Sequence, residues 1–144
     1  MKNNVRIGGL GEDLAVKYLE NKGYEIIERN FRRPWGELDI VARDEGATLV
    51  FIEVKTMKRS GFTSGDPDIS PEDNMNSSKI GKTKKIAKNY ANTHPELTDE
   101  SRGWRIDLIA ISLNFPAGKS FPDDFSDLTE INKYCEIKHF ENVE

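Results

Sequence analysis

With 144 residues, a single cysteine and a formal net charge of −4, the chain suits one domain with its own core, and Cys135 alone excludes both an internal disulfide framework and a cysteine-built zinc site. No apolar stretch of signal-peptide or membrane-spanning character is present, so a chain of a reducing, cytoplasmic setting with no membrane partner is expected. An acidic balance does not announce a nucleic-acid binder, because phosphate affinity grows with the number of Lys and Arg that displace counterions.

The charges are unevenly spread. Arg29, Arg32 and Arg33 cluster early, Lys79, Lys82, Lys84, Lys85 and Lys88 crowd one later segment, and acids concentrate in 66–73, 96–100 and 123–130. In chain order, Gly11, Leu14, Ala15, Tyr18, Leu19 and Lys22 fall on one helical stripe, which predicts a helix over about 9–22 ended by Gly23. Glu12 sits on the border of that stripe. Strands follow over 24–31, 37–42 and 49–55, separated by turns at Pro34-Trp35-Gly36 and Asp44-Glu45-Gly46, and these three form an antiparallel meander.

Residues 57–77 carry Gly, Pro, Ser, Asp and Asn without periodicity and read as a long, mobile loop. Ser78 to Asn92 spaces Ile80, Ala87 and Tyr90-Ala91 as a second, basic helix, which His94-Pro95 ends. Trp104 to Leu113 is a fourth strand, 114–130 a second loop, and Tyr134 to Phe140 a short edge strand.

Side-chain alternation assigns the faces of these strands. Val50, Ile52 and Val54 share one apolar face while Phe51, Glu53 and Lys55 share the other. The same rule separates Leu38, Ile40 and Ala42 from Glu37, Asp39 and Val41, and Ile106, Leu108 and Ala110 from Arg105, Asp107, Ile109 and Ile111. Three strands with one greasy and one partly charged face predict a sheet with a polar cleft.

Metal-assisted phosphodiester hydrolysis needs hard oxygen ligands, a nucleophilic water and positive charge near the phosphate. Asp39 and Glu53 supply two carboxylates from adjacent strands, which lie about 4.8 Å apart, and the Val54 carbonyl can add a third ligand. Lys55 can orient or help deprotonate water and counter charge at the reacting phosphate. A bare Glu-x-Lys is more often an exposed ion pair. Six charges, from Glu37, Asp39, Glu53, Lys55, Arg105 and Asp107, on one face of central strands weigh toward a site instead.

Glu12 is either an auxiliary ligand or an acid favoured by the helix macrodipole. Lys79, Lys82 and Lys85 are either phosphate contacts or a solvated helix face. Arg105 and Asp107 suit an organising pair, and His94 and His139 lack further ligands at useful spacing and read as structural or exposed.

Gly11-Glu12 with Ala15 and Tyr18-Leu19, Gly23-Tyr24, Asn30, Arg32, Gly36-Glu37-Leu38-Asp39, Phe51-Ile52-Glu53-Val54-Lys55, Lys79, Ala87, Tyr90 and Arg105-Ile106-Asp107 together resemble the YraN family over roughly residues 8–140. That family is similar to PD-(D/E)xK nucleases, especially archaeal Holliday-junction resolvases. The resemblance implies an α/β fold with a restriction-endonuclease-like αβββαβ core, a mixed central sheet flanked by helices, in a single domain over 1–144. It also implies Asp39, Glu53 and Lys55 as the nuclease triad and Glu12 as a further acid. Where members of the family usually carry an Arg two residues after the motif lysine, this chain has Met57, with Lys58 and Arg59 just beyond.

The function so implied is a metal-dependent endonuclease using Mg²⁺ or Mn²⁺ on DNA, including branched or structured DNA. The alternative is a catalytically silent nucleic-acid-binding module on the same fold. Related resolvases act as dimers, so a homodimer is an arrangement to weigh.

Overall fold

Leu10, Leu14, Ala15 and Leu19 recur at the spacing of one helical stripe, and all four are buried where helix α1 (Lys2–Asn21) lies on the sheet. The computed structural model describes residues 2–60, 77–99, 101–115 and 128–143. Gly23, at φ +90°, closes α1 as its spacing predicts, and the Tyr24 N–H returns to the Leu19 carbonyl at 3.0 Å. Strands β1 (Glu25–Arg33), β2 (Gly36–Arg43) and β3 (Leu49–Ser60) follow. Then come helix α2 (Ser77–Thr93), a 3-10 turn at Pro95–Leu97, strand β4 (Trp104–Phe115), a short helix α3 (Leu128–Asn132) and strand β5 (Cys135–Phe140).

The five strands form one mixed sheet in the order β1-β2-β3-β4-β5. β1, β2 and β3 are the expected antiparallel meander, β4 runs parallel to β3, and β5 is an antiparallel edge strand beside β4. The α2 crossover makes the parallel pair. One core lies beneath α1, where Ile40, Ala42, Val50, Ile52, Ile109, Ile111 and Leu113 meet Leu14, Ala15 and Leu19. The other lies beneath α2, where Val41, Leu49, Phe51, Ile106 and Leu108 meet Ile86, Ala87, Tyr90 and Ala91.

Each face therefore carries an apolar core beneath a helix and a share of the charges, which corrects the expectation of one greasy and one partly charged face. Arg105 and Asp107 do not share a face with Glu53 and Lys55. In the β3–β4 register they pair with Val50 and Ile52, whose side belongs to the α1 core. Leu38 also departs from its predicted side and joins the α2 core.

The cause of that last reversal is visible in β1. Arg29 reaches Glu12 on α1, yet Phe31, two residues on, packs edge-to-face on Tyr90 of α2 with centroids 4.9 Å apart. Between them Asn30 adopts φ +54°, the left-handed region that Asn tolerates better than most residues. Leu38 is paired with Phe31 and follows it to the α2 side, while Ile40 is paired with Arg29 and stays on the α1 side. Asp39 sits where the alternation breaks.

The loop predicted over 57–77 starts later, because β3 stays paired with β4 through Ser60 opposite Phe115. Residues 61–76 of that loop lie outside the described residues. Likewise β4 continues to Phe115, and the loop predicted over 114–130 contains the start of α3, which buries Ile131; residues 116–127 lie outside the described residues.

One polar network ties the sheet ends together. Asp107 is fully buried, and its carboxylate accepts from Arg105 Nε at 3.0 Å and the Asn142 N–H at 2.9 Å, with His139 Nε2 at 2.7 Å. Arg105 also donates to Asp44 at 2.7 Å and to the Tyr24 hydroxyl at 2.9 Å. Burial alone would push the Asp107 carboxyl up, but the hydrogen bonds from His139, Arg105 and Asn142 hold it below the usual carboxylate range. Because a buried charge left without its partner is strongly unfavourable, Asp107→Ala is expected to destabilise the fold by about 3–5 kcal/mol. Arg43→Ala, which removes an exposed pair with Glu25, is expected to cost under about 1 kcal/mol. Urea midpoints of the two variants check the contrast.

Candidate metal centre

β2 and β3 pair at only four positions, Arg43–Leu49, Ala42–Val50, Val41–Phe51 and Ile40–Ile52. Past Ile40 and Ile52 the two strands part. β2 continues along β1 through Glu37 opposite Arg32, and β3 continues along β4. The fork exposes main-chain groups that a continuous ladder would have used. The Val54 N–H is one of them, and it donates to Asp39 Oδ2 at 2.8 Å. A residue's N–H and C=O point toward the same neighbouring strand, so the Val54 carbonyl also faces the fork.

Asp39 is electrostatically burdened there. Burial pushes its carboxyl up to about 7, the charge of Glu53 adds to the rise, and Glu12 and Glu37 contribute in the same direction. The Val54 N–H works against them by stabilising the charged form. Glu53 leaves β3 toward α2, with a side chain 16% exposed, and Lys79 Nζ stands 3.0 Å from its Oε1. A cleft of about 200 Å³ opens beside it between the β1–β2 hairpin and α2, bordered by Trp35, Glu37, Glu53, Lys79, Lys82 and Ile86.

The predicted residues are thus brought together in part. Asp39, Glu53 and Val54 converge on the fork, and Lys55 follows Glu53 on the same side of β3. Glu12 comes close enough for its charge to act on Asp39, but its carboxylate is engaged by Arg29 Nε at 3.1 Å and its side chain is 12% exposed. Arg29 also grips Asp13 at 2.6 Å. Lys79 is an ion-pair partner of Glu53 rather than a freestanding phosphate contact. Lys82 borders the cleft, whereas Lys85 is exposed on α2 and is not among the residues lining it.

Two contributors escape sequence reasoning. Arg29 stands in the sequence only as part of a basic cluster, and its reach to α1 depends on β1 lying across from that helix. Trp35 reads as a turn residue; a large aromatic between Pro34 and Gly36 is the signal that could mark it.

Two carboxylates and a main-chain carbonyl are hard oxygen donors of the type Mg²⁺ and Mn²⁺ take. The like charges of Asp39 and Glu53 also want a cation between them, so the donor set fits a divalent ion. A second group, Asp107, His139 and Glu141, holds its ligand atoms within 4.8 Å of one another. It does not fit a cation, because both Asp107 oxygens are already hydrogen-bonded and the Arg105 guanidinium lies 3.8 Å from Glu141.

These features define an α/β protein with a five-strand mixed sheet covered by helices, carrying a carboxylate pair at a strand fork. Residues 11–111 match the profile of the Uncharacterised protein family UPF0102, and the chain belongs to that family. A UPF0102 protein of Syntrophus aciditrophicus is 38% identical over 117 residues, covering 78% of this chain and 81% of its own. One of Syntrophomonas wolfei is 38% identical over 117 residues, covering 81% and 91%. One of Thermodesulfovibrio yellowstonii is 41% identical over 108 residues, covering 75% and 87%. The matched span contains Glu12, Asp39, Glu53, Lys55 and the α2 lysines. Among the described residues, no helix is long and apolar enough to cross a membrane.

The Asp39 shift has a sign that can be tested without metal. Its carboxyl ionises near 7 when folded but near about 3.9 when unfolded, so between those values folding takes up a proton. Stability from this group is present at low pH and is lost as pH rises to 7. In metal-free buffer, Asp39→Asn is expected to match wild type near pH 3.5 and to gain on it as pH rises, by up to about 4 kcal/mol at pH 8. Thermal melts of both proteins across that range give the difference directly.

Proposed function

We propose that this protein is a divalent-cation-dependent endonuclease that hydrolyses phosphodiester bonds of DNA. The observation that carries the reading is the convergence of Asp39 and Glu53 on a fork between two strands, with a lysine two residues after Glu53. The resemblance of these motifs to PD-(D/E)xK nucleases supports it and extends it to a restriction-endonuclease-like core acting on branched or structured DNA. On a four-way junction two symmetric cuts are needed, so the working unit on that substrate is a homodimer.

Asp39, Glu53 and the Val54 carbonyl would hold Mg²⁺ or Mn²⁺. When bound, such an ion supplies charge that polarises the scissile phosphate and acidifies water. The Val54 N–H fixes the Asp39 carboxylate in its orientation, so one oxygen is already committed and the other is left for a ligand. Lys55 positions the attacking water and offsets negative charge gathering on the phosphate. Lys82 holds the backbone at the mouth of the cleft, and Glu12, restrained by Arg29, raises the negative potential that draws a cation to Asp39.

The Lys79–Glu53 pair favours a second reading. An ammonium 3.0 Å from Glu53 already neutralises that carboxylate, as suits a nucleic-acid-binding module without turnover. The two readings part on the same variants. With Mg²⁺ or Mn²⁺ and a panel of linear, flapped and four-way DNA, Asp39→Asn, Glu53→Gln and Lys55→Ala are each expected to lose at least about 100-fold in cleavage while keeping a cooperative melt. Full activity in any of them contradicts the nuclease assignment. DNA binding that survives Glu53→Gln in a wild type that never cuts supports the binding module.

A further inference from the structure

Trp35 is a large hydrophobic side chain left 58% exposed, while the other aromatic residues at this end of the sheet, Phe31 and Tyr90, are buried against each other. Its place is not arbitrary. It stands at the tip of the β1–β2 hairpin and borders the same cleft of about 200 Å³ as Glu53, Lys79 and Lys82. The opposite wall is α2, and the hairpin approaches it closely: a Cβ built at Gly36 would meet Ile86 Cδ1 at 3.5 Å. Arg32 and Arg33 flank the tip and are exposed.

An exposed indole and a pair of lysines in one cleft, with Glu53 of the carboxylate pair on its wall, have a common ligand. The π-face of Trp suits a nucleobase, the ammonium of Lys82 suits its phosphate, and stacking on an aromatic side chain needs no particular base. The cleft's volume excludes a duplex but admits one base. Away from the ends of a duplex each base has both faces covered by its neighbours, so there only an unpaired or extruded nucleotide can present a face to Trp35.

We propose that Trp35 and Lys82 form a subsite for one unpaired nucleotide beside the carboxylate site, and that the substrate is therefore nucleic acid with a single-stranded segment rather than continuous duplex. This rests on reading the cleft as the nucleic-acid site.

The test uses the full chain in metal-free, low-salt buffer. Tryptophan emission and affinity are followed on adding a short oligothymidylate, a blunt duplex, and the same duplex with a single-stranded flap. Oligothymidylate and the flapped duplex are expected to quench emission and to bind about tenfold tighter than blunt duplex. Trp35→Ala is expected to lose both the quenching and the tenfold preference, and Trp35→Phe to keep most of the preference. Lys82→Glu is expected to weaken all three ligands and to flatten their salt dependence.

Equal affinity for the three ligands, or a preference that Trp35→Ala leaves intact, overturns the subsite. Absence of binding to any of them also overturns it and leaves Trp35 as a contact for a protein partner. The two proposals fail separately. Quenching by single strands with no cleavage in Mg²⁺ or Mn²⁺ retains the subsite and contradicts the nuclease. Cleavage that proceeds equally on blunt duplex and in Trp35→Ala retains the nuclease and contradicts the subsite.

Discussion

Ile40 opposite Ile52 is the last rung between β2 and β3, and the character of the site follows from what the strands do after it. β3 is held by β4 over its whole length, twelve residues from Leu49 to Ser60. β2 is held by β1, whose course changes at Asn30 with its positive φ. Each strand keeps its outer partner, so the inner pairing gives way. A fork of this kind is costly unless its freed main-chain groups find partners. The Asp39 carboxylate is such a partner for the Val54 N–H, and the same bond that satisfies the backbone fixes one ligand of the candidate metal centre. Asp39 is placed between two halves of a sheet, where burial and Glu53 both resist its charge.

The two helices divide the remaining work. α1 covers one face and brings Glu12, with Arg29 and Asp13 locked around it. α2 covers the other and brings Lys79 to Glu53 and Lys82 to the cleft. The second charged cluster, around Asp107, lies on the α1 side and is organised by Arg105. Separation of the two clusters matters electrostatically. Arg105 satisfies Asp44 and Asp107, and the cation demand at Asp39 and Glu53 is left to Lys79 or to a divalent ion.

Much of this was legible in the sequence for a simple reason: buried strands announce themselves by alternation. The meander, the edge position of β5, the Gly23 stop and the conjunction of Asp39 with Glu53 all follow from local pattern. What failed depended on three dimensions. Leu38 changes faces because Asn30 does, and nothing in Leu38 itself records that. Arg105 and Asp107 fall on the α1 face because the parallel register sets them opposite Val50 and Ile52. β3 outruns its apolar pattern past Lys55 because pairing with β4 continues where side-chain signals stop. The partners of Glu12 and Glu53 are lysine and arginine residues drawn from distant elements, which charge counting along the chain cannot assign.

Whether the fork is a cation site built from Asp39 and Glu53 is read most directly from Mn²⁺ binding by calorimetry near pH 7 with a non-cleavable oligonucleotide present. Run in two buffers of different ionisation enthalpy, the titration also counts protons. Wild type is expected to bind with proton release, because occupation forces Asp39 to ionise, and both are expected to be lost in Asp39→Asn, with marked weakening in Glu53→Gln. Undiminished binding in both variants, or no binding by wild type with the oligonucleotide in place, would contradict a cation site at the fork.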